Sequence, residues 1–360
     1  MTQNNKYFDD LQQFLNSSLQ SHQVLYINQY YNQIGTIGAL GLSSALAKCT
    51  NLSNLTLNLC VNQITDEGLL GLSSALANCI NLSNLTLHLS YNQISDQGVL
   101  GLGSALAKCA NLSNLTVNFG GNQISGIGTS GLVGSILANC INLSNLTLQL
   151  SYNQVGDEDT SDLSSALAKC TNIFSLTLEF GGNQIGDKYT SCLGSAIANC
   201  TNLSNLKLNL CVNKIGAIGA SALGSALANC INLSNLILHL NGNQIDAIGA
   251  SNLASALVNF TNLSNLTLDL SENQIGDEAA QGLASALVNY PYLSNLTLDL
   301  SGNQISTIGE SVLGFAFSKC TILQNLALDL SFNELIEPEA LKGNSHYLKS
   351  KRLVAFKLYF

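Results

Sequence analysis

Between Asn51 and Ile80, Leu55, Leu57 and Leu59 alternate with Thr56, Asn58 and Cys60, the two-residue period of a strand with one buried face. Farther on, Leu72, Ala75, Leu76 and Cys79 fall at i, i+3, i+4 and i+7, the stripe of an amphipathic helix, with Asp66 and Glu67 near its positive N-terminal end. The segment predicts strand, turn and helix. The pattern then recurs. Asn-Gln-Ile or a close variant begins at Asn32, Asn62, Asn92, Asn122, Asn153, Asn183, Asn213, Asn243, Asn273, Asn303 and Asn333, a period of 30 residues with one interval of 31. The extra residue lies between Asn122 and Cys140, inside the predicted helix. One such unit cannot bury its leucine face alone, so the units must stack, with strands parallel and helices behind them.

The spacing of Leu52, Leu55, Leu57, Asn62, Ile64, Gly68, Leu72 and Leu76 resembles a ribonuclease-inhibitor-like leucine-rich repeat, and the resemblance covers nearly the whole chain. It departs from the family's ~28-residue period by a second Leu-x pair, Leu57 and Leu59, ahead of the asparagine. The array is also similar to Asn-rich arrays of ciliate proteins, some of which accompany a kinase domain; no kinase motif occurs in this sequence. The resemblance implies an α/β right-handed solenoid, a horseshoe with a concave parallel sheet and convex helices, and protein binding as its role. Because Ran GTPase activators share the repeat type, a GTPase-activating or other regulatory protein is the alternative, as is a docking segment of a larger protein. The only arginine, Arg352, leaves little from which to supply an arginine finger.

Residues 1–24 are expected to cap the array, and 25–360 to form about eleven repeats ending on a twelfth strand. Leu25, Ile27 and Asn32 keep the repeat spacing, while His22 and Gln29 stand where leucines are expected. Phe8, Leu11, Leu15 and Leu19 suggest a short covering helix, and Leu353, Phe356, Leu358 and Phe360 suggest the final strand.

Composition narrows the function. Charged residues make up 10% of the chain against a typical ~25%, and 46% of residues are apolar, which favours a large core over disorder. With 13 Lys and Arg against 22 Asp and Glu, the net charge of −9 disfavours nucleic acid. The N-terminus lacks a basic segment followed by an apolar run, and the apolar stretch from Gly68 to Ser95 is broken by Ser and Asn. A cytoplasmic protein, with no membrane span and with reduced cysteines, is expected. Eight of the eleven cysteines share one predicted helix position, and neighbouring helices ~8–10 Å apart exceed the ~7 Å Cα separation of a disulfide.

Several motifs have simple explanations. The asparagine of Asn-Gln-Ile is expected to donate hydrogen bonds to turn carbonyls. Asn-Leu-Ser and Asn-Leu-Thr match the glycosylation sequon, but the repeat itself places them. Gly126, Gly128 and Gly131 spell G-x-G-x-x-G inside the predicted repeat turn, outside any dinucleotide-binding unit. Asp157, Asp159 and Asp162 form only half of a calcium loop. Cys60 with His88, and Cys211 with His239, are diagonal neighbours on the expected concave face, but the sequence shows no third group to orient either imidazole. No catalytic, cofactor-binding or metal-ligating residue is assigned, and no cofactor is expected.

Variation between repeats points to binding. At the Asn58 position the series passes through His239 to Asp269, Asp299 and Asp329, three successive carboxylates at a strand spacing of ~4.8 Å, with Glu272 at the edge. Such a stripe suits a protein partner with a basic segment. Lys342, Lys349, Lys351 and Arg352 are expected nearby but on another surface. At the Val61 position, Tyr91, Tyr152 and Phe332 belong to a series that alternates with glycine, suggesting a ridge with troughs over the glycines.

Overall fold

The computed structural model describes residues 5–158, 172–257, 260, 262–288, 292–320, 322–335 and 355–359. It forms two compact units, Met1–Asn183 and Gln184–Phe360. The first unit contains β1 (Asn5–Phe8), α1 (Leu11–Leu15), a 3-10 turn (Leu19–Ser21), β2 (Val24–Asn28), α2 (Gly35–Leu46), β3 (Asn54–Asn58), α3 (Asp66–Leu76), β4 (Asn84–His88), α4 (Asp96–Leu106), β5 (Asn114–Asn118), α5 (Gly126–Asn139), β6 (Asn145–Gln149) and β7 (Ser175–Glu179). In the second unit, α6 (Asp187–Ile197), α7 (Ala217–Leu227), α8 (Ala247–Leu257), α9 (Asp277–Leu287) and α10 (Thr307–Lys319) alternate with β8 (Asn205–Asn209), β9 (Asn235–His239), β10 (Asn265–Asp269), β11 (Asn295–Asp299) and β12 (Asn325–Asp329). Strand β13 (Ala355–Tyr359) follows.

Within each unit the strands pair in parallel and in register, so that Leu55, Leu85, Leu115, Leu146 and Leu176 align across one sheet, and Leu206, Leu236, Leu266, Leu296 and Leu326 across the other. These leucines are buried while the intervening Thr and Asn are half-buried or exposed, as the period of two requires. The helix stripe buries Leu72, Ala75 and Leu76 against the sheet. The fold is a leucine-rich-repeat solenoid. The 31-residue interval is taken up by α5, which has 14 residues where α3 and α4 have 11.

From Asn62 onward, the asparagine of each turn does more than donate. Asn92 Nδ2 donates to the carbonyls of Leu59, Leu89 and Ser90, while its Oδ1 accepts the backbone N–H groups of Asn62 and Ile64 in the preceding repeat. One buried amide thus satisfies backbone groups of two repeats where the chain leaves the sheet. Asn54, Asn84, Asn114 and Asn145, and in the second unit Asn205, Asn235, Asn265, Asn295 and Asn325, form side-chain amide ladders in which each Nδ2 donates to the preceding Oδ1. These ladders occupy the asparagines of the Asn-Leu-Thr triplets.

The helix-start acids reach across repeats. Asp66 accepts hydrogen bonds from Ser95 N, Ser95 Oγ and Gly98 N at the start of α4 rather than α3, and Asp277 does the same for Ser306 and Gly309 at α10. Each carboxylate therefore caps the N-terminus of the following helix. A Cβ at Gly128 would meet Asp96 Oδ1 at 2.2 Å, so the middle glycine of the G-x-G-x-x-G run makes room for such a cap. That run lies in α5 and not, as its sequence suggested, in the turn.

The repeated cysteines lie at or just beyond the helix C-termini, not within the helices. Cys79 Sγ lies 3.6–3.9 Å from the carbonyls of Ala75, Leu46 and Cys49, which also accept backbone N–H groups, so its single proton is shared among carbonyls at the ends of two successive helices. Burial pushes the Cys49, Cys109, Cys140 and Cys320 thiols up to about 11, and burial with neighbouring thiols raises Cys79 and Cys230 to about 12. The described cysteines form no disulfide; Cys170 lies outside the described residues.

The expected N-terminal helix is shorter than its apolar spacing suggested: α1 takes only Leu11 and Leu15, while Phe8 belongs to β1, which pairs with β2, and Leu19 to the 3-10 turn. Phe14 of α1 is buried, and His22 packs beside Phe8 and Phe14 while bonding Ser17 Oγ through Nε2. Gln29 donates to Asp9 O and accepts from Asn32 Nδ2, which explains a polar residue at a core position.

Candidate functional site

The solvent-facing row of each sheet ends on the Asn58 position, and what that position does locally decides how its variation is read. Asn58 Oδ1 accepts the N–H of Cys60, Asn118 that of Gly120, and Asn209 that of Cys211, an Asx turn where the strand stops. Asp269, Asp299 and Asp329 make the same contact with the N–H groups of Ser271, Ser301 and Ser331 at 2.9–3.0 Å, and the first two also accept the serine hydroxyl at 2.7 Å. The turn needs an acceptor oxygen, which asparagine supplies without charge. The three carboxylates are therefore charge beyond what the turn requires.

The register aligns the three aspartates side by side on β10, β11 and β12, with His239 of β9 next in line. His239 Nδ1 lies 3.6 Å from Asp269 Oδ2. Burial works against ionisation of Asp269, but the neighbouring imidazole of His239 and the hydrogen bonds from Ser271 outweigh it, leaving the carboxyl below its usual range. Among the described residues, Oδ2 of Asp299 and of Asp329 accepts no hydrogen bond. Lys357 pairs in register with Ala327, and Tyr359 with Asp329. Lys342, Lys349, Lys351 and Arg352 lie outside the described residues, as do Asp159 and Asp162.

The Cys–His pairs take different roles. The Cys60 thiol accepts a hydrogen bond from Ser90 Oγ at 2.9 Å and is buried, and burial lowers the pKa of the half-buried His88. His239 does have the orienting group that the sequence failed to reveal, Asp269, because residues 30 apart become neighbours across the sheet. Among the described residues no cluster of three or more His, Cys, Asp or Glu is placed to hold a metal ion, and no helix is long and apolar enough to cross a membrane.

The second surface lies just past the strand ends. Tyr31, Val61, Tyr91, Gly121, Tyr152 and Gly182 in the first unit, and Val212, Gly242, Glu272, Gly302 and Phe332 in the second, all have φ between 52° and 69°. A non-glycine residue held there costs about 1–3 kcal/mol, so glycine is the unstrained choice. The expected troughs over the glycines are absent. A Cβ at Gly121 would sit 2.6 Å from Cδ1 of Tyr91, and one at Gly182 would sit 2.7 Å from Cδ1 of Tyr152. Each ring leans over the glycine that follows, so the alternation has a packing cause. The rings nevertheless remain 61% and 69% exposed, Tyr31 is 63% exposed, and Phe332 is 89% exposed.

Segments 81–103, 142–164, 234–254, 262–284 and 292–313 match the family profile described as "Leucine Rich repeat". Among solved structures, the chain is similar to an internalin (inlF) from Listeria monocytogenes, with 25% identity, 89% of this chain and 82% of that chain covered, and a TM-score of 0.43. It is also similar to internalin C2 (inlC2) from the same organism, with 24% identity, 71% and 83% covered, and a TM-score of 0.39. A search of curated proteins returns no match. The profile matches, with the strand, asparagine turn and helix recurring around them, mark this chain as one built of leucine-rich repeats.

Proposed function

We propose that the chain is a non-enzymatic interaction scaffold and that a protein partner carrying a basic segment docks on the solvent-facing side of the second unit's sheet. Asp269, Asp299 and Asp329 form the centre of that site, with Glu272 and His239 at its margins. One observation carries the reading: the same Asx turn is made by Asn58, Asn118 and Asn209 without charge. Three like charges on adjacent strands repel one another, and a cationic segment relieves that repulsion. The repeats are read as the ribonuclease-inhibitor-like type, residues 1–24 as the cap of the array, and buried, uncombined thiols as suited to the cytoplasm.

The test replaces all three aspartates by Asn and compares the proteins captured from a lysate at low and high salt. The wild-type chain should retain a set of basic partners that high salt or the triple substitution releases, since exposed charges are screened beyond ~8 Å at 0.15 M salt. An unchanged set with unchanged salt sensitivity overturns the reading.

A further inference from the structure

The repeat offers a control on its own aromatic residues. The position past the strand end demands a left-handed backbone, and Gly121 and Gly182 meet that demand without strain. Tyr31, Tyr91 and Tyr152 occupy it with φ of 54–58° and expose most of each ring. The turn requires neither the strain nor the exposed aromatic surface.

Their spacing is regular. Tyr31 and Tyr91 are two repeats apart, as are Tyr91 and Tyr152, so the row recurs every second strand, or ~9.6 Å. A polyproline II helix has three residues per turn at ~3.1 Å each, or ~9.3 Å per turn. Successive turns of such a helix therefore meet successive rings. Its prolines offer apolar faces to aromatic surfaces, and its carbonyls, which make no internal hydrogen bonds, can accept from phenolic hydroxyls. Because the peptide is already extended, little conformational entropy opposes docking. No charged side chain interrupts the series Tyr31, Val61, Tyr91, Gly121, Tyr152, Gly182. The second unit's series carries Glu272 and a single aromatic, Phe332, and so lacks the period.

We infer that the tyrosine row of the first unit binds a proline-rich segment in the polyproline II conformation. This names an occupant for a surface that the acidic-stripe reading leaves unused, and the two can fail separately.

The probe is dye-labelled decaproline, titrated with the full chain and followed by fluorescence anisotropy. Tyrosine emission, unobscured because the chain has no Trp, gives a second readout, in which the difference between wild type and the tyrosine variants isolates the row from the other tyrosines. Saturable binding is expected, absent for a Gly-Ser decapeptide and weakened at least tenfold by Tyr91→Gly with Tyr152→Gly. Glycine is the residue the fold itself uses at this position, so the double variant should unfold no earlier than wild type, which separates lost binding from lost folding. The Asp269, Asp299 and Asp329 to Asn variant should bind decaproline as wild type does. A double variant that binds equally well, no saturation below about 1 mM, or preference for a β-linked glucose hexamer over decaproline each overturns the inference.

Discussion

Replacing Asn92 by Ala tests the claim that one side chain ties two repeats together. The substitution removes acceptors for the N–H groups of Asn62 and Ile64, at 3.1 and 2.9 Å, and the donor to the carbonyls of Leu59, Leu89 and Ser90. Asn92 is buried, and an unsatisfied buried donor costs ~1–3 kcal/mol, so the two orphaned N–H groups alone predict a loss of ~2–6 kcal/mol. Asn81→Ala is the comparison: that exposed side chain makes one hydrogen bond, to Thr50 O at 3.2 Å, and its loss should stay within ~0.5 kcal/mol. Urea denaturation reads the difference, with the slope as well as the midpoint followed because repeat arrays can lose cooperativity. An Asn92→Asp variant adds a pH signature. Its ionised carboxylate would be buried with one oxygen facing three carbonyls, which outweighs the two N–H groups that the other oxygen still accepts, so its folded pKa should rise above ~3.9. The protonated form can still donate, so the variant should be most stable below that value and weaken as pH rises. Equal costs for Asn92→Ala and Asn81→Ala would refute the bridging role.

Leu178→Ala should cost ~2–5 kcal/mol by opening a cavity beneath β7, whereas Thr177→Ala on the solvent-facing side should cost under ~1 kcal/mol; equal losses in denaturation would mean that the two faces are misassigned. Thiol titration at pH 8 should leave Cys49, Cys79, Cys109, Cys140, Cys230 and Cys320 of the native chain unmodified, their pKa values being raised to about 11 or 12, and should count eleven thiols after unfolding without reductant. Burial, with Lys6 nearby, lowers the pKa of His22, so the stability it confers is complete above 6.5 and is lost as pH falls through the window below. Hydrogen exchange of the β1 amides should accelerate there, and an unchanged rate would count against the packing assigned to His22.

The strands and helices were legible because Leu55, Leu57 and Leu59 and the later Leu72, Ala75 and Leu76 keep two clean periods. Strand β1 was not, because the four residues Asn5 to Phe8 are too few to establish alternation. Contacts across repeats were also hidden. Asp66 reads as a cap for its own helix, and only stacking shows that it caps the next. The orienting role of Asp269 toward His239 has the same origin, since register makes neighbours of residues 30 apart. The tyrosine–glycine alternation was visible as a pattern, but its cause, a ring leaning over a glycine at positive φ, required coordinates.

The central claim is that Asp269, Asp299 and Asp329 carry charge that the fold does not need. The direct measurement is the stability of the triple Asn variant beside its affinity for a lysine-rich peptide. Asparagine preserves the Asx turns, and removing like charges from adjacent strands relieves ~0.2–1 kcal/mol per pair, against the loss of the Asp269 contact with His239. The account predicts stability equal to or above wild type, with salt-sensitive peptide binding abolished. A variant that is clearly destabilised, or that binds the peptide as tightly as wild type, would show the aspartates to be structural and contradict the claim.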